Sequence, residues 1–214
     1  MTHPTHPREP VNGWFHATGA LLALGALVAL LRAAFPSLRA LLGVGTFGAS
    51  AVLMFGASAL YHLHHRSPRA ALYRRLDHAM IYVFIAGTYT AVCLVALWPS
   101  GRARVLLGVV WALAIVGVTQ EFRRGLPRGW ATALYLALGW AALLLVPELV
   151  ARPVVALGLL AGGAFYTIGA LIYWRKWSPG RPGVFGFHEL WHLCVIAGSA
   201  SHFWAIRHVL VAGS

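Results

Sequence analysis

Seven long apolar runs are the feature that most constrains the fold of this chain. Each comes close to the roughly 20 residues that a helix needs to cross a membrane. Clusters of charged, proline and glycine residues separate the runs. They cover residues 12–31, 41–62, 77–97, 104–120, 130–147, 154–174 and 187–208. Because no linker is long enough to divide them, the sequence predicts one all-α domain over residues 1–214, a seven-transmembrane helix bundle.

The composition favours a membrane protein over a soluble one. Hydrophobic residues make up 59% of the chain and charged residues only 10%, whereas a soluble domain carries about 25% charged residues. The chain has 17 Lys and Arg against 5 Asp and Glu. These cations lie in short segments between the runs, which favours membrane lipids as partners and predicts no nucleic acid partner.

The distribution of basic residues also predicts an orientation. Alternate loops, beginning with the amino terminus, hold most of the Lys and Arg. The positive-inside rule then places the amino terminus in the cytoplasm and the carboxy terminus outside. This orientation excludes a G-protein-coupled receptor, which faces the other way. A retinal protein needs a lysine within a late span, but the one lysine, Lys176, lies in a loop.

Several ionisable residues are predicted to share one depth in the membrane. His62 ends the second span, Asp77 begins the third, and His188 and His192 lie in the first turns of the seventh. Because successive spans run in opposite directions, all four belong to the cytoplasmic side of the bundle. His188 and His192 are four residues apart, so they lie on one helical face. Ionisable groups within spans are costly and are functional candidates by default.

This set of residues has the chemistry of a zinc site. Three imidazoles would give Zn²⁺ three protein ligands and leave a fourth position for water. We therefore predict metal ligands at His62, His188 and His192, with Asp77 holding and deprotonating the water. Ser58, one turn before His62, could donate a hydrogen bond to Asp77 or to a developing oxyanion. A single histidine at a span end is more often a packing residue; three with a carboxylate favour a metal.

Other polar residues near this depth have simpler interpretations. Asn12 and His16, four residues apart at the start of the first span, are interpreted as supporting or capping residues. His78 follows Asp77 on a different helical face and is interpreted as structural. His64 and His65 follow the second span and are expected to be solvated.

The segment HELWH at 188–192 also spells the helical zinc motif of metalloproteases, in which Glu189 would be the general base. The extended form of that motif fails, because its third histidine would fall on Gly198. His202 lies ten residues beyond His192, about 15 Å along a helix, and is too far to share the ion. A third ligand must come from an earlier helix, and Glu189 is expected to cap the helix start or meet a loop arginine.

Four segments together resemble a known family. They are E-x-x-N-x-x-x-H at 9–16, SALYH at 58–62, LDHAMIY at 76–82 and HELWHLCVIAGSASHF at 188–203. In order and spacing the chain is similar to the hemolysin III and progestin/adipoQ receptor family, and its short loops resemble the bacterial hemolysin III branch.

This resemblance implies a seven-helix bundle with a buried zinc on His62, His188 and His192. The family's water-holding aspartate corresponds to Asp77 and its serine to Ser58. Members are regarded as relatives of alkaline ceramidases, which implies a ceramide-like substrate. The resemblance also implies a multi-pass protein of the bacterial inner (plasma) membrane.

The preferred hypothesis is a zinc-dependent hydrolase of lipid amide or ester bonds. Two alternatives stay open at this point. One is a receptor or signalling protein in which zinc only stabilises the bundle. The other is a membrane-disrupting haemolysin or channel without hydrolase activity.

Overall fold

The computed structural model describes residues 9–123, 128–178 and 186–212, and within these ranges all regular structure is helical. The helices are α1 (Glu9–Ala34), α2 (Leu38–Leu63), α3 (Ala70–Ala91), α4 (Gly101–Arg123), α5 (Arg128–Trp140), α6 (Val146–Val150), α7 (Pro153–Arg175) and α8 (Phe187–Ala212). A π-helical turn, Val92–Ala96, extends α3, and a 3₁₀ turn, Ala141–Leu145, joins α5 to α6.

Seven of these helical segments are long and apolar enough to cross a membrane, which confirms the predicted seven-span bundle. The fifth is composite and runs from Trp130 through the 3₁₀ turn to Val150. Helices suit this environment because they satisfy every backbone polar group within the segment. The orientation of the bundle in the membrane stays a prediction.

Two helix boundaries differ from those expected from the sequence. The third spanning segment already begins at Ala70, because Arg74 and Arg75 continue the helix beyond the apolar run instead of ending it. The fifth segment continues past Pro147, the last residue of the predicted run, to Val150. Pro147 lies in the first turn of α6, where a missing backbone N–H disrupts no helical hydrogen bond.

The outer surface of the bundle is apolar. Leu21 and Ile115, for example, are 72% and 61% exposed. Large exposed tryptophans lie near the span ends, among them Trp130 and Trp174, as is typical of residues at a membrane–water interface. This surface is suited to lipid contact along the spans.

The buried residues form two clusters. One joins α1, α2, α3 and α8 around Leu30, Val44 and Phe47. The other joins α3, α4, α5, α6 and α7 around Tyr82 and Leu145. Helix α8 packs against both α1 and α7, so its first turns lie where the start of α1 and the ends of α2 and α7 meet.

Glycines bring α7 and α8 close together. A Cβ on Gly162 would lie 3.1 Å from the carbonyl oxygen of Gly198. A Cβ on Gly158 would lie 2.5 Å from Cβ of Ala205 and 3.1 Å from the carbonyl oxygen of Ser201. Small residues at such a crossing allow close backbone approach in membrane bundles. This contact fixes the position of α8, and with it the depth of His188 and His192.

Replacing Gly158 with alanine is expected to destabilise the bundle. The added methyl group would meet Ala205 and a backbone carbonyl, neither of which has a flexible end that can move aside. Overpacking of this kind costs about 1–3 kcal/mol. The measurement is unfolding of the purified protein in detergent. Gly25→Ala is the matched control, since no described atom lies within 4 Å of a Cβ there; equal stabilities of the two variants would contradict the prediction.

Candidate metal centre

Three histidines from two helices meet at one end of the bundle. His62 lies in the last turn of α2, and His188 and His192 lie in the first two turns of α8. One ring nitrogen from each lies within 4.8 Å of those of the other two. The ring centroids are 5.0 Å apart for His62–His188 and for His62–His192, and 4.7 Å apart for His188–His192. These three residues, called the histidine group below, are thus brought together, while their role as metal ligands stays a prediction.

The start of α8 is fixed by Glu189. Its side-chain Oε2 accepts a hydrogen bond of 2.9 Å from the backbone N–H of Gly186, the residue before the helix. A glutamate that reaches back from the third helical position to the cap residue is one half of a capping box. Glu189 is buried and acts as the cap expected from the sequence. The cap sets the start of the helix and therefore the position of His188 and His192 along it.

The histidine group has the donor atoms that a divalent metal needs. Zinc binds imidazole nitrogens at about 2.0–2.1 Å, so the nitrogens of a tetrahedral site lie about 3.3 Å apart. The three nitrogens lie within 4.8 Å of one another in the structure, and small side-chain rotations would bring them to this spacing. Nε2 of His192 is buried and has no hydrogen-bond partner among the described residues. Imidazole suits zinc but also other transition metals, so the histidine group could hold a metal ion, and its geometry does not fix the element.

Asp77 and Ser58 lie on the wall of the same cavity as the histidine group. Ser58 is 2% exposed and one helical turn before His62. Asp77 is half-buried near the start of α3. The structure therefore brings together all five residues singled out from the sequence around one space.

That space, the central cavity, has a volume of about 1080 Å³. Residues from Phe187 to His202 of α8 line it, which corresponds to about 22 Å of helix. Apart from the histidines, Ser58 and Asp77, its wall is chiefly apolar. At its other end it reaches Leu149 and Ala156.

The central cavity also reaches the outer surface of the bundle. Leu143, Val150 and Leu160 line it and are nevertheless 54%, 74% and 51% exposed. Side chains that face both the cavity and the surrounding medium mark an opening between α6 and α7. At the end of the cavity near the histidine group, Arg74 and Lys176 contribute cationic side chains to the wall.

His16 lies in direct contact with the histidine group, closer than its interpretation as a supporting residue required. Its Nε2 lies 2.6 Å from Nδ1 of His192, and the two ring centroids are 3.9 Å apart. His16 and Asn12 are both buried. The feature of the sequence that pointed to these two residues was their i, i+4 spacing at the start of an apolar span.

A second pair, the half-buried His78 and the buried Glu121, was not foreseen. Oε2 of Glu121 lies 3.8 Å from Nδ1 of His78, and Glu121 is buried in α4. His78 lines the central cavity, beside Asp77. The feature of the sequence that could have indicated this pair is the acidic residue near the end of the fourth apolar run, because buried carboxylates in spans need a partner.

His65 is not simply solvated as expected. Its Nδ1 lies 3.0 Å from the carbonyl oxygen of His62, and its Nε2 is buried. This contact closes the turn after α2. By contrast, His64 is exposed, as expected.

Comparisons with known proteins give matches along nearly the whole chain. A family model described as Haemolysin-III related matches residues 5–203. Hemolysin-3 of Bacillus cereus is 33% identical over 207 residues, which is 92% of this chain and 90% of that protein. A Hemolysin-3 homolog of Bacillus subtilis (strain 168) is 32% identical over 211 residues, 94% of each chain. The matched range includes every residue of the histidine group.

Proposed function

This chain belongs to the haemolysin III-related family, and we propose that it is a zinc-dependent hydrolase of lipid amide or ester bonds. It is a multi-pass integral membrane protein, and its bacterial relatives indicate the plasma membrane. The substrate class of the proposal is an acyl lipid, with a ceramide-like amide as the first candidate.

One observation carries the proposal: the histidine group opens onto a large, chiefly apolar cavity inside a membrane bundle. A purely structural metal site is normally closed by four protein ligands, whereas a catalytic site keeps one position open. The described residues supply three imidazoles, with one ring nitrogen of each within 4.8 Å of the other two. The adjoining cavity, at about 1080 Å³, exceeds the roughly 300–1,000 Å³ of sites for drug-sized ligands.

The residues around the site have distinct roles in the proposed reaction. Zinc, when bound, supplies an activated water molecule at neutral pH and polarises a carbonyl group. Asp77 orients the water and accepts its proton as the water oxygen bonds to the carbonyl carbon of the lipid. The C–N or C–O bond then breaks, and Asp77 returns the proton to the leaving amine or alcohol. Ser58 donates a hydrogen bond to the carbonyl oxygen as negative charge develops on it.

The shape of the central cavity supports a long acyl chain as the group that is bound. The hydrocarbon core of a bilayer is about 30 Å thick for two leaflets, so one acyl chain extends for about 15 Å. The lined length of α8, about 22 Å, accommodates such a chain. The opening at Leu143, Val150 and Leu160 would admit it from the bilayer. Arg74 and Lys176 would attract a polar or anionic headgroup at the other end.

The test is turnover by purified protein of known zinc content. Fluorescent ceramides and acyl lipids of several chain lengths are offered in detergent micelles and in nanodiscs. We expect fatty acid release that stops when a chelator removes the metal and returns when zinc is added back. Unchanged turnover by metal-free protein, or no turnover of any acyl lipid by zinc-loaded protein, would reject the proposal.

A substitution in the wall of the central cavity tests whether the activity depends on this site. Ala156→Phe would fill the end of the central cavity that lies away from the histidine group. We expect a loss of about tenfold or more for long acyl chains and a smaller loss for short ones. Ala164→Phe is the matched control, because Ala164 is exposed on the same helix and is not part of the described cavity wall.

The names of the relatives favour one other candidate, a membrane-disrupting protein. Both are called Hemolysin-3 or its homolog. Such a function would require dye leakage from reconstituted liposomes that survives loss of the histidine group. The same preparations used for the turnover assay can be tested for leakage, so the two functions are separated in one experiment.

A further inference from the structure

The contact between His16 and His192 joins the first span to the metal centre. Nε2 of His16 lies 2.6 Å from Nδ1 of His192, which is hydrogen-bond distance for two ring nitrogens. Both side chains are buried, at 4% and 3% exposure. Beyond His16 the ring packs edge-on against Phe55, with centroids 5.2 Å apart. The His16 ring is therefore held in place from both sides.

At this distance one proton lies between the two rings, and its position decides what His192 can bind. If His16 Nε2–H donates, a neutral His192 carries its own proton on Nε2 and has no lone pair there. If His192 Nδ1–H donates to His16 Nε2, the lone pair of His192 Nε2 is free. That Nε2 is buried and has no hydrogen-bond partner in the described ranges. Only the second arrangement lets His192 act as a metal ligand through Nε2.

Asn12 favours this second arrangement. With its Nε2 accepting, a neutral His16 carries its proton on Nδ1. Nδ1 of His16 and Oδ1 of Asn12 are both buried, and neither has a hydrogen-bond partner within the described residues. The two residues are one helical turn apart on the same face of α1. Oδ1 of Asn12, the amide atom without a partner among the described residues, can accept a hydrogen bond from a protonated Nδ1 of His16 but not from an unprotonated one.

We propose that His16 is a positioning residue for the metal centre: by accepting the hydrogen bond of His192 Nδ1–H, it keeps Nε2 of His192 available as a ligand. This inference rests on the proposed function in assuming that the histidine group binds a metal. Partners of this kind fix the tautomer and the ring orientation of ligand histidines, and their loss costs about 10–100-fold in metal affinity.

His16 is assigned behind the ligand and not among the ligands for a geometric reason. Within the described ranges, the group whose ring nitrogens all lie within 4.8 Å of one another is His62, His188 and His192, without His16. Nε2 of His16 also lies only 2.6 Å from Nδ1 of His192. Two nitrogens that bind one tetrahedral zinc ion lie about 3.3 Å apart, so this contact fits a hydrogen bond better than two bonds to a shared ion.

The experiment compares His16→Ala, His16→Phe and His16→Gln. Phenylalanine keeps a ring against Phe55 but has no acceptor, whereas the glutamine amide oxygen can accept from His192 Nδ1–H. His208→Ala is the control, since it removes another histidine of α8 that is exposed and lies about 24 Å from His192 along the helix. Zinc affinity is measured by chelator competition, and the visible spectrum of the Co²⁺-loaded protein reports the coordination number.

The inference predicts that His16→Ala and His16→Phe lose about 10–100-fold in zinc affinity while the Co²⁺ coordination number is unchanged. His16→Gln should recover most of that loss, and His208→Ala should bind zinc as the wild type does. A change below about threefold, equal loss in the Gln and Phe variants, or an altered coordination number would overturn it. A wild type that binds no metal would overturn both proposals, whereas a wild type that binds zinc without hydrolysing lipid would overturn only the proposed function.

Discussion

Replacing His188 with alanine is expected to abolish stoichiometric metal binding and, with it, fatty acid release. His188 supplies one of the three imidazoles of the histidine group, and two histidines alone hold a metal ion only weakly in competition with water. The loss of affinity should exceed the 10–100-fold expected for a residue behind a ligand. Metal analysis of the purified variant and the lipid turnover assay measure the two effects separately.

The control for this substitution is His208→Ala. His208 lies on the same helix and is exposed, so its loss should change neither metal content nor turnover. His62→Ala and His192→Ala should resemble His188→Ala. A double variant should be no worse than a single one, because residues that act as a unit are strongly non-additive. Retention of one equivalent of tightly bound zinc by His188→Ala would contradict the assignment of the ligands.

The number and approximate extent of the spans could be predicted because each spanning segment is bounded by charge or by Pro and Gly. The gathering of His62, Asp77 and His188 could also be predicted. Alternating span directions place the end of α2 and the starts of α3 and α8 on one side of the bundle, and few ionisable residues lie at that depth. The expected depth of these residues in the membrane was therefore sufficient to predict that they lie together.

Rotation of the helices about their own axes could not be predicted in the same way. In α1 the side chains that face lipid, such as Leu21, are as apolar as those that face α2, such as Leu30. No alternation of polar and apolar residues then shows which face is buried, as it does in soluble helices. The contact of His16 with His192 and the pairing of His78 with Glu121 both depend on this rotation, so they emerged only from the structure.

The central cavity also could not be predicted from the sequence. A cavity is an absence of side-chain volume, and the residues that line it, such as Ala156 and Leu159, are the same types that fill a packed core. The segment from α5 to α6 lines the cavity together with α7 and α8. The irregular 3₁₀ turn at Ala141–Leu145 lies in that segment, and no residue pattern in the run marked it.

Replacing Asp77 with asparagine is expected to separate metal binding from turnover. Asp77 lines the central cavity beside the histidine group but is not part of the group of three nitrogen donors. Asparagine keeps the size of the side chain but cannot accept a proton from water. Loss of a positioned general base lowers turnover by about 10²–10⁴-fold, while zinc affinity should change by tenfold at most, the lower limit for a residue that supports a ligand.

Glu121→Gln is the matched control for the loss of a buried carboxylate. Glu121 contacts His78, the neighbour of Asp77, so this variant reports any general effect of altered charge at the start of α3. We expect it to retain both zinc and most of the turnover.

If Asp77→Asn loses zinc as completely as His188→Ala, Asp77 is itself a ligand. If it turns lipid over at the wild-type rate, the water is activated without a protein base, and the proton must leave by another route. Zinc retained with turnover lost is the result that the proposed division of roles requires, because only then do the histidines hold the ion while the carboxylate handles the proton.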